Sequence, residues 1–177
     1  MKVVFLDRDG TIIQDPIDER VDSVNKIELF PDTITALKML ADHGYSAVII
    51  TNQAGIAEGR ITEEDFWKIH NEVLNKLAPS EINILATYFN GESGGPDASK
   101  WRKPGPKMLL KAAEDLKLDL SQIYMVGDNQ SDIDAGINAG CKGSILVETA
   151  RNKKVQSDNA IFSAQNLLTA SEFIINN

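Results

Sequence analysis

A single cysteine, Cys141, stands in a chain of 177 residues. One thiol allows no intrachain disulfide and no thiolate zinc site, and its place after Ala139-Gly140 suits a small buried core residue. Histidine is nearly as scarce, with two in all; His43 and His70 lack metal-ligand spacing and are expected on the surface or at helix ends. Long hydrophobic runs are missing. No stretch approaches the roughly 18 apolar residues of a membrane span, and the apolar run that opens the chain is too short for a signal peptide. Positive charge is short too: 18 Lys and Arg face 26 Asp and Glu, for a net charge of −8 and a pI of about 4.8. That balance argues against a nucleic-acid partner, which needs a basic footprint. It leaves room for a small phosphorylated ligand, which one cluster of cations and a metal ion can serve. No Gly-rich phosphate loop of the Walker or G-x-G-x-x-G kind occurs. The acidic run from Asp128 fails as a calcium loop, because Ile133 stands where glycine is needed and Ala139 where glutamate is needed. These absences leave a cytoplasmic enzyme as the default, with no membrane partner.

What is present is a globular composition, 42% hydrophobic and 25% charged, long enough to bury a core as one domain over residues 1–177. Short apolar runs at 3–6, 47–50, 84–89, 123–126 and 144–147 suit strands buried on both faces of a parallel sheet. Between them lie helical patterns at 31–43, closed by Gly44, at 62–77, opened by Thr62 with a capping-box-like Asp65, and at 104–116, 131–139 and 166–175. Trp67 is expected in the core, and Trp101 at the mouth of a pocket. Alternating strands and helices predict a doubly wound, Rossmann-like α/β fold with a parallel sheet flanked by helices. In such sheets, ligands bind beyond the carboxyl ends of the strands. Asp7, Thr51 and Asp128 all fall at predicted strand ends, so they are expected to converge.

Asp7-Arg8-Asp9-Gly10-Thr11 places two carboxylates two residues apart at such an end. Phosphate monoester hydrolysis needs a nucleophile, an acid for the leaving alcohol and positive charge around the phosphoryl group. Two adjacent carboxylates can divide the first two tasks, one attacking phosphorus and the other handling the proton. A bound Mg²⁺ would keep the first ionised. Singly, each motif has a plainer reading: an acidic strand-to-turn cluster, a helix N-cap at Thr51-Asn52-Gln53, a solvated loop lysine at Lys103, turn chemistry at Asp128.

Taken in order, the motifs resemble those of the haloacid dehalogenase (HAD) superfamily. Residues 5–12 (FLDRDGTI) resemble its first motif, residues 50–57 (ITNQAGIA) its second, Arg102-Lys103-Pro104 its third, and residues 126–136 (VGDNQSDIDAG) its fourth. The wording is closest to the branch of heptose-bisphosphate phosphatases and histidinol-phosphate phosphatases. The resemblance implies Asp7 as nucleophile and Asp9 as general acid/base. It implies Mg²⁺ on the Asp7 carboxylate, the Asp9 backbone carbonyl and the Asp128 carboxylate, with Asp132 supporting the metal through water. Thr51 and Lys103 would hold phosphoryl oxygens, and Asn52 and Arg102 would touch the substrate.

Two departures qualify the resemblance. The branch usually carries a zinc-binding loop of Cys and His ahead of Arg-Lys-Pro, whereas residues 90–101 contain neither, so zinc is not expected and glycines 91, 94 and 95 suit a mobile flap. The turn at residues 14–21 does not closely match the heptose enzymes, while Val21-Asp22-Ser23 with Lys26 looks more like the histidinol-phosphate branch. No segment is long enough for a large cap domain. The expected reaction is hydrolysis of a small-metabolite phosphate monoester, D-glycero-D-manno-heptose 1,7-bisphosphate 7-phosphatase first. Histidinol-phosphate phosphatase, polynucleotide 3′-phosphatase and a non-catalytic binding module are the alternatives. A monomer or small homo-oligomer is expected.

Overall fold

The computed structural model describes residues 1–15, 21–95, 98–149 and 157–177. Among these residues six parallel strands form one sheet: β1 Lys2–Leu6, β2 Tyr45–Asn52, β3 Asn83–Asn90, β4 Tyr124–Gly127, β5 Gly143–Val147 and β6 Phe162–Ala164, in the order β3-β2-β1-β4-β5-β6. Five α-helices connect or follow them: α1 Thr33–Asp42, α2 Glu63–Leu77, α3 Lys107–Leu116, α4 Gln130–Ala139 and α5 Leu167–Asn176. No described helix is long and apolar enough to cross a membrane.

The period-2 geometry of a strand explains the unbroken apolar runs. In β1, Val4 and Leu6 join a core shared with α1, α2 and α5, while Val3 and Phe5 join a second core against α3 and α4. Both faces are covered, so every residue of the run gains by being apolar. Each fully buried side chain of this kind contributes about 1.5–3 kcal/mol. Cys141 is half-buried at the edge of the second core, where burial pushes its thiol up to about 12.

Helix α2 begins with the capping box expected from Thr62 and Asp65. Its buried stripe is Phe66, Ile69, His70, Val73 and Leu77, spaced as one helical face requires. Two expectations are corrected here. His70 lies on the stripe, one turn after Phe66, and is buried at 1% exposure. Trp67 sits one position off the stripe and is 37% exposed, although its ring edge packs on Phe66 and Phe89. Strand β6 was not foreseen: three residues give too short a run to show a period.

The strand order reverses direction between β1 and β4, the neighbours on either side of the crevice where doubly wound sheets take ligands. β1, β2 and β4 end there together, at Leu6, Asn52 and Gly127.

Candidate active site

The turn after β1 is tight: the amides of Ile12 and Ile13 both donate to the Arg8 carbonyl, at 2.9 and 3.0 Å. Gly10 sits within it at φ +91°, and a Cβ there would overlap the Asp128 carboxylate. Glycine thus serves both the left-handed backbone and the close approach of two strand-end loops. Gly127, at the end of β4, serves close approach alone, since a Cβ on it would overlap Asp132. These approaches bring carboxylate oxygens of Asp7, Asp128 and Asp132 within 4.8 Å of one another.

Lys103 enters the centre of this cluster. Its ammonium donates to Asp7 Oδ1 at 2.6 Å, to the Ile50 carbonyl at 2.7 Å, and lies 2.6 Å from Asp132 Oδ1. Three acceptors match its three donors. Burial alone would lower the Lys103 pKa, but Asp132 and Asp7 outweigh it and hold the ammonium charged. Asn52 fixes the lysine from behind, accepting from the Lys103 amide and donating to its carbonyl, both at 3.1 Å.

Charge within the cluster does not balance. Three buried carboxylates surround one ammonium, which leaves two negative charges uncompensated. Burial raises Asp7 well above the ordinary carboxylate range; Lys103 opposes this, and Asp132, Asp128 and Asp9 add to it. Burial likewise pushes Asp128 up to about 7, with Asp132 adding to the rise. Oxygen donors with a deficit of two positive charges fit a hard divalent cation such as Mg²⁺. Asp132 has both oxygens engaged, Oδ1 with Lys103 and Oδ2 with the Asn129 amide in the capping box of α4.

Asp9 lies apart from that deficit. Arg8, 1% exposed, reaches back through Nε and a terminal nitrogen to the two Asp9 oxygens, each at 3.1 Å. Gln53 donates to Asp9 Oδ2 at 2.7 Å, and the Thr51 hydroxyl to the same oxygen at 3.4 Å.

A cleft of about 260 Å³ opens above these groups. Asp7, Asp9, Thr51, Asn52, Arg102, Lys103 and Asp132, all singled out from sequence, line it together. Asp128 lies just beneath, 1% exposed. Trp101 does not line the cleft; it is 39% exposed, with the Lys107 ammonium 5.8 Å from its ring centroid. Sequence reasoning did not single out Gln53 and Arg60 on the wall, whereas Asp15 and Asp22, also on it, belong to the segments expected to face the substrate. Gln53 was legible only as part of a motif. Arg60 is carried by a loop that is held where the Gln53 and Ala57 amides bond the Asn90 and Gly91 carbonyls at the end of β3. The described part of the segment expected as a flap is tied back: Arg102 donates to the Glu92 carbonyl at 2.8 Å, and Glu92 accepts from the Ser99 amide. Most of the turn at residues 14–21 lies outside the described residues.

Comparison with known proteins agrees with this geometry. Residues 100–169 match the HAD-hydrolase-like family model. The D-glycero-alpha-D-manno-heptose-1,7-bisphosphate 7-phosphatase of Photorhabdus laumondii is 37% identical, covering 98% of this chain and 97% of that protein. The histidine biosynthesis bifunctional protein HisB of Spirosoma linguale is 35% identical over 88% of this chain, which spans 41% of that longer protein. A D,D-heptose 1,7-bisphosphate phosphatase from B. bronchiseptica, crystallised with magnesium and phosphate, superposes with a TM-score of 0.89 at 28% identity, covering 99% of each chain. A sheet of this order, four motifs meeting at its carboxyl edge, and a relative 37% identical that is matched along nearly its whole length place the chain in the HAD-like hydrolase family, among its phosphatases.

Proposed function

We propose that the chain hydrolyses a phosphate monoester of a small metabolite with the help of Mg²⁺, through an aspartyl phosphate formed on Asp7. The observation that carries this reading is the buried Asp7–Lys103 pair set among Asp128 and Asp132, a phosphate-holding cation beside a carboxylate cluster short of two positive charges. Mg²⁺ would be held by Asp7, Asp128 and the Asp9 backbone carbonyl, and would neutralise charge on nucleophile and phosphoryl group together. The committed oxygens of Asp132 suit it to orienting Lys103 and supporting the metal from outside.

The chain's own residues then divide the work. Lys103 holds Asp7 oriented by one oxygen, and Asp7 attacks phosphorus as the bond to the leaving oxygen breaks. Asp9 gives its proton to that oxygen, and takes one back from the water that hydrolyses the aspartyl phosphate. Thr51 holds a phosphoryl oxygen, and the buried charge of Lys103, its donors engaged by Asp7, Ile50 and Asp132, attracts the phosphoryl group. All of these groups are present, which speaks against a silent binding module. We take the protein as one domain over residues 1–177, cytoplasmic, monomeric or a small homo-oligomer, with no zinc.

The proposed substrate is D-glycero-D-manno-heptose 1,7-bisphosphate. Besides the activity for which the Photorhabdus relative is named, Arg60 and Arg102 support it: two guanidinium groups on the cleft wall with Lys103 suit a second phosphate. A second reading, histidinol phosphate, draws on Asp15 and Asp22 on the same wall, whose carboxylates would suit an ammonium group. The acidic chain makes a polynucleotide 3′-phosphate the least suited.

Phosphate release from both heptose bisphosphate anomers, histidinol phosphate and a 3′-phosphorylated oligonucleotide, each with Mg²⁺ or EDTA, tests the proposal. Magnesium-dependent release led by a heptose bisphosphate is expected. Histidinol phosphate as the favourite would move the substrate to the second reading, and no release from any ester would overturn the enzymatic one.

A further inference from the structure

Asp9 is held from two sides, and only one of them is a charge partner. Beneath it, the Arg8 guanidinium grips both carboxylate oxygens and lies 5.2 Å from the centroid of the Phe66 ring. Phe66 stacks in turn on His70, with centroids 5.6 Å apart and planes at 16°. His70 is itself fixed by Thr87, whose Oγ1 is 2.8 Å from its Nε2. Burial, then the positive charge of Arg8, hold His70 at about 4, so a neutral ring underlies the guanidinium. This stack sets the plane of the Asp9 carboxylate but says nothing about the cleft side.

On the cleft side stands Gln53, 8% exposed. One amide nitrogen serves two acceptors, Asp9 Oδ2 at 2.7 Å and Thr51 Oγ1 at 2.9 Å. A neutral donor shared in this way locks the distance between the two residues without adding charge to either.

We infer that Gln53 is a positioning residue for Asp9. Its amide registers the proton-carrying carboxylate against the hydroxyl that holds the phosphoryl group, so that the proton meets the leaving oxygen. The inference rests on the reading of Asp9 as the acid/base. In that reaction the Asp9 proton moves to the ester oxygen as its bond to phosphorus breaks. The proton returns to Asp9 from water as the water oxygen bonds to phosphorus and Asp7 is released.

Leaving-group dependence separates positioning from general structure. An alkyl phosphate needs a proton on its departing oxygen, whereas p-nitrophenyl phosphate releases a stable phenolate without one. Wild type, Gln53→Leu, Gln53→Met and Asp9→Asn would be assayed on both esters at saturating Mg²⁺, with thermal unfolding to confirm that each variant is folded. Gln53→Met keeps the length of the side chain and loses the donors, and stands in if Gln53→Leu does not fold.

The expected result is a fall in kcat/KM, which reports the steps up to release of the alcohol and not the shared hydrolysis of the aspartyl phosphate, of about 10–30-fold on the alkyl ester and less than about 3-fold on p-nitrophenyl phosphate. Asp9→Asn should show the same selectivity more strongly. Equal losses of kcat/KM on both esters would overturn the positioning role while leaving Asp9 as the acid. Equal losses for Asp9→Asn would overturn the acid/base reading and the positioning role together. Turnover of neither ester by the wild type would overturn the phosphatase reading as well.

Discussion

The inner end of the cleft and its outer wall are built on opposite plans. At the inner end, Asp7, Lys103, Asp128 and Asp132 are all 5% exposed or less, their approach depends on glycines with no room for a Cβ, and the ammonium spends every donor. On the outer wall, Arg60 and Arg102 sit on loops, and Arg60 is ion-paired with neighbouring Glu58 at 40% and 44% exposure. Groups that share a buried charge cannot be exchanged singly, because each removal strands the others. Groups at a wet rim can be, because water takes up the loss. The contrast teaches that reaction type is stored in the strand ends and substrate choice in the loops.

Five experiments would sharpen or break that contrast. The largest effect belongs to Asp7→Asn, which removes the proposed nucleophile but keeps an oxygen for Lys103. Turnover should fall by at least about 1,000-fold with thermal stability retained; wild-type turnover of any good ester would remove Asp7 from the mechanism. Lys103→Met strands three carboxylates without a cation. It should cost about 3–5 kcal/mol in urea unfolding of the metal-free protein and lower kcat about 100-fold, and a stability near wild type would show that the cluster is not coupled as described.

Metal removal comes next. Mg²⁺ at a hundred times its Kd should stabilise the fold by about 2.7 kcal/mol, and Asp128→Asn should shrink that gain. An equal gain in the variant would place the ion elsewhere.

His70 gives a comparable effect with a definite sign. Its pKa falls from 6.5 unfolded to about 4 folded. The unfolded chain therefore takes up a proton first, and stability is lost as the pH falls through that interval, by about 3 kcal/mol. His70→Gln should flatten this part of the pH–stability profile relative to wild type; an unchanged slope would assign the loss to other groups. Smallest is Arg60→Ala, expected to raise KM about 10-fold for a bisphosphate with kcat unmoved. A comparable rise with a simple alkyl monophosphate would mean that Arg60 does not read a second anion.

Much of this could be read before the fold was known, for physical reasons. β1, β2, β4 and β5 are buried on both faces, so their apolar runs are unbroken and their ends mark where Asp7, Thr51 and Asp128 emerge. Glycine and carboxylate spacing then identified the motifs. What escaped was whatever depends on pairing across distance. Nothing in the string DRDG says that Arg8 folds back beneath its neighbour Asp9 and is buried on Phe66, fifty-eight positions on. Residue type misled at α2: a tryptophan is expected inside and a histidine outside, whereas the buried stripe of Phe66, Ile69 and Val73 takes in His70 and leaves Trp67 at its margin. β6 is too short to announce itself, and forms because β5 offers it an open edge through Ile145–Val147.

The Asn52 clasp on Lys103 has a consequence for how the molecule can change. By meeting both the amide and the carbonyl of residue 103, one side chain gives that peptide the partners a neighbouring strand would give. The ammonium is thereby anchored to β2 and does not depend on the chain that leads up to it. Insertions, deletions or wholesale replacement between Asn90 and Arg102 can alter which molecules are admitted without moving the charge that receives them, so new specificities are open to the lineage at little risk to the reaction.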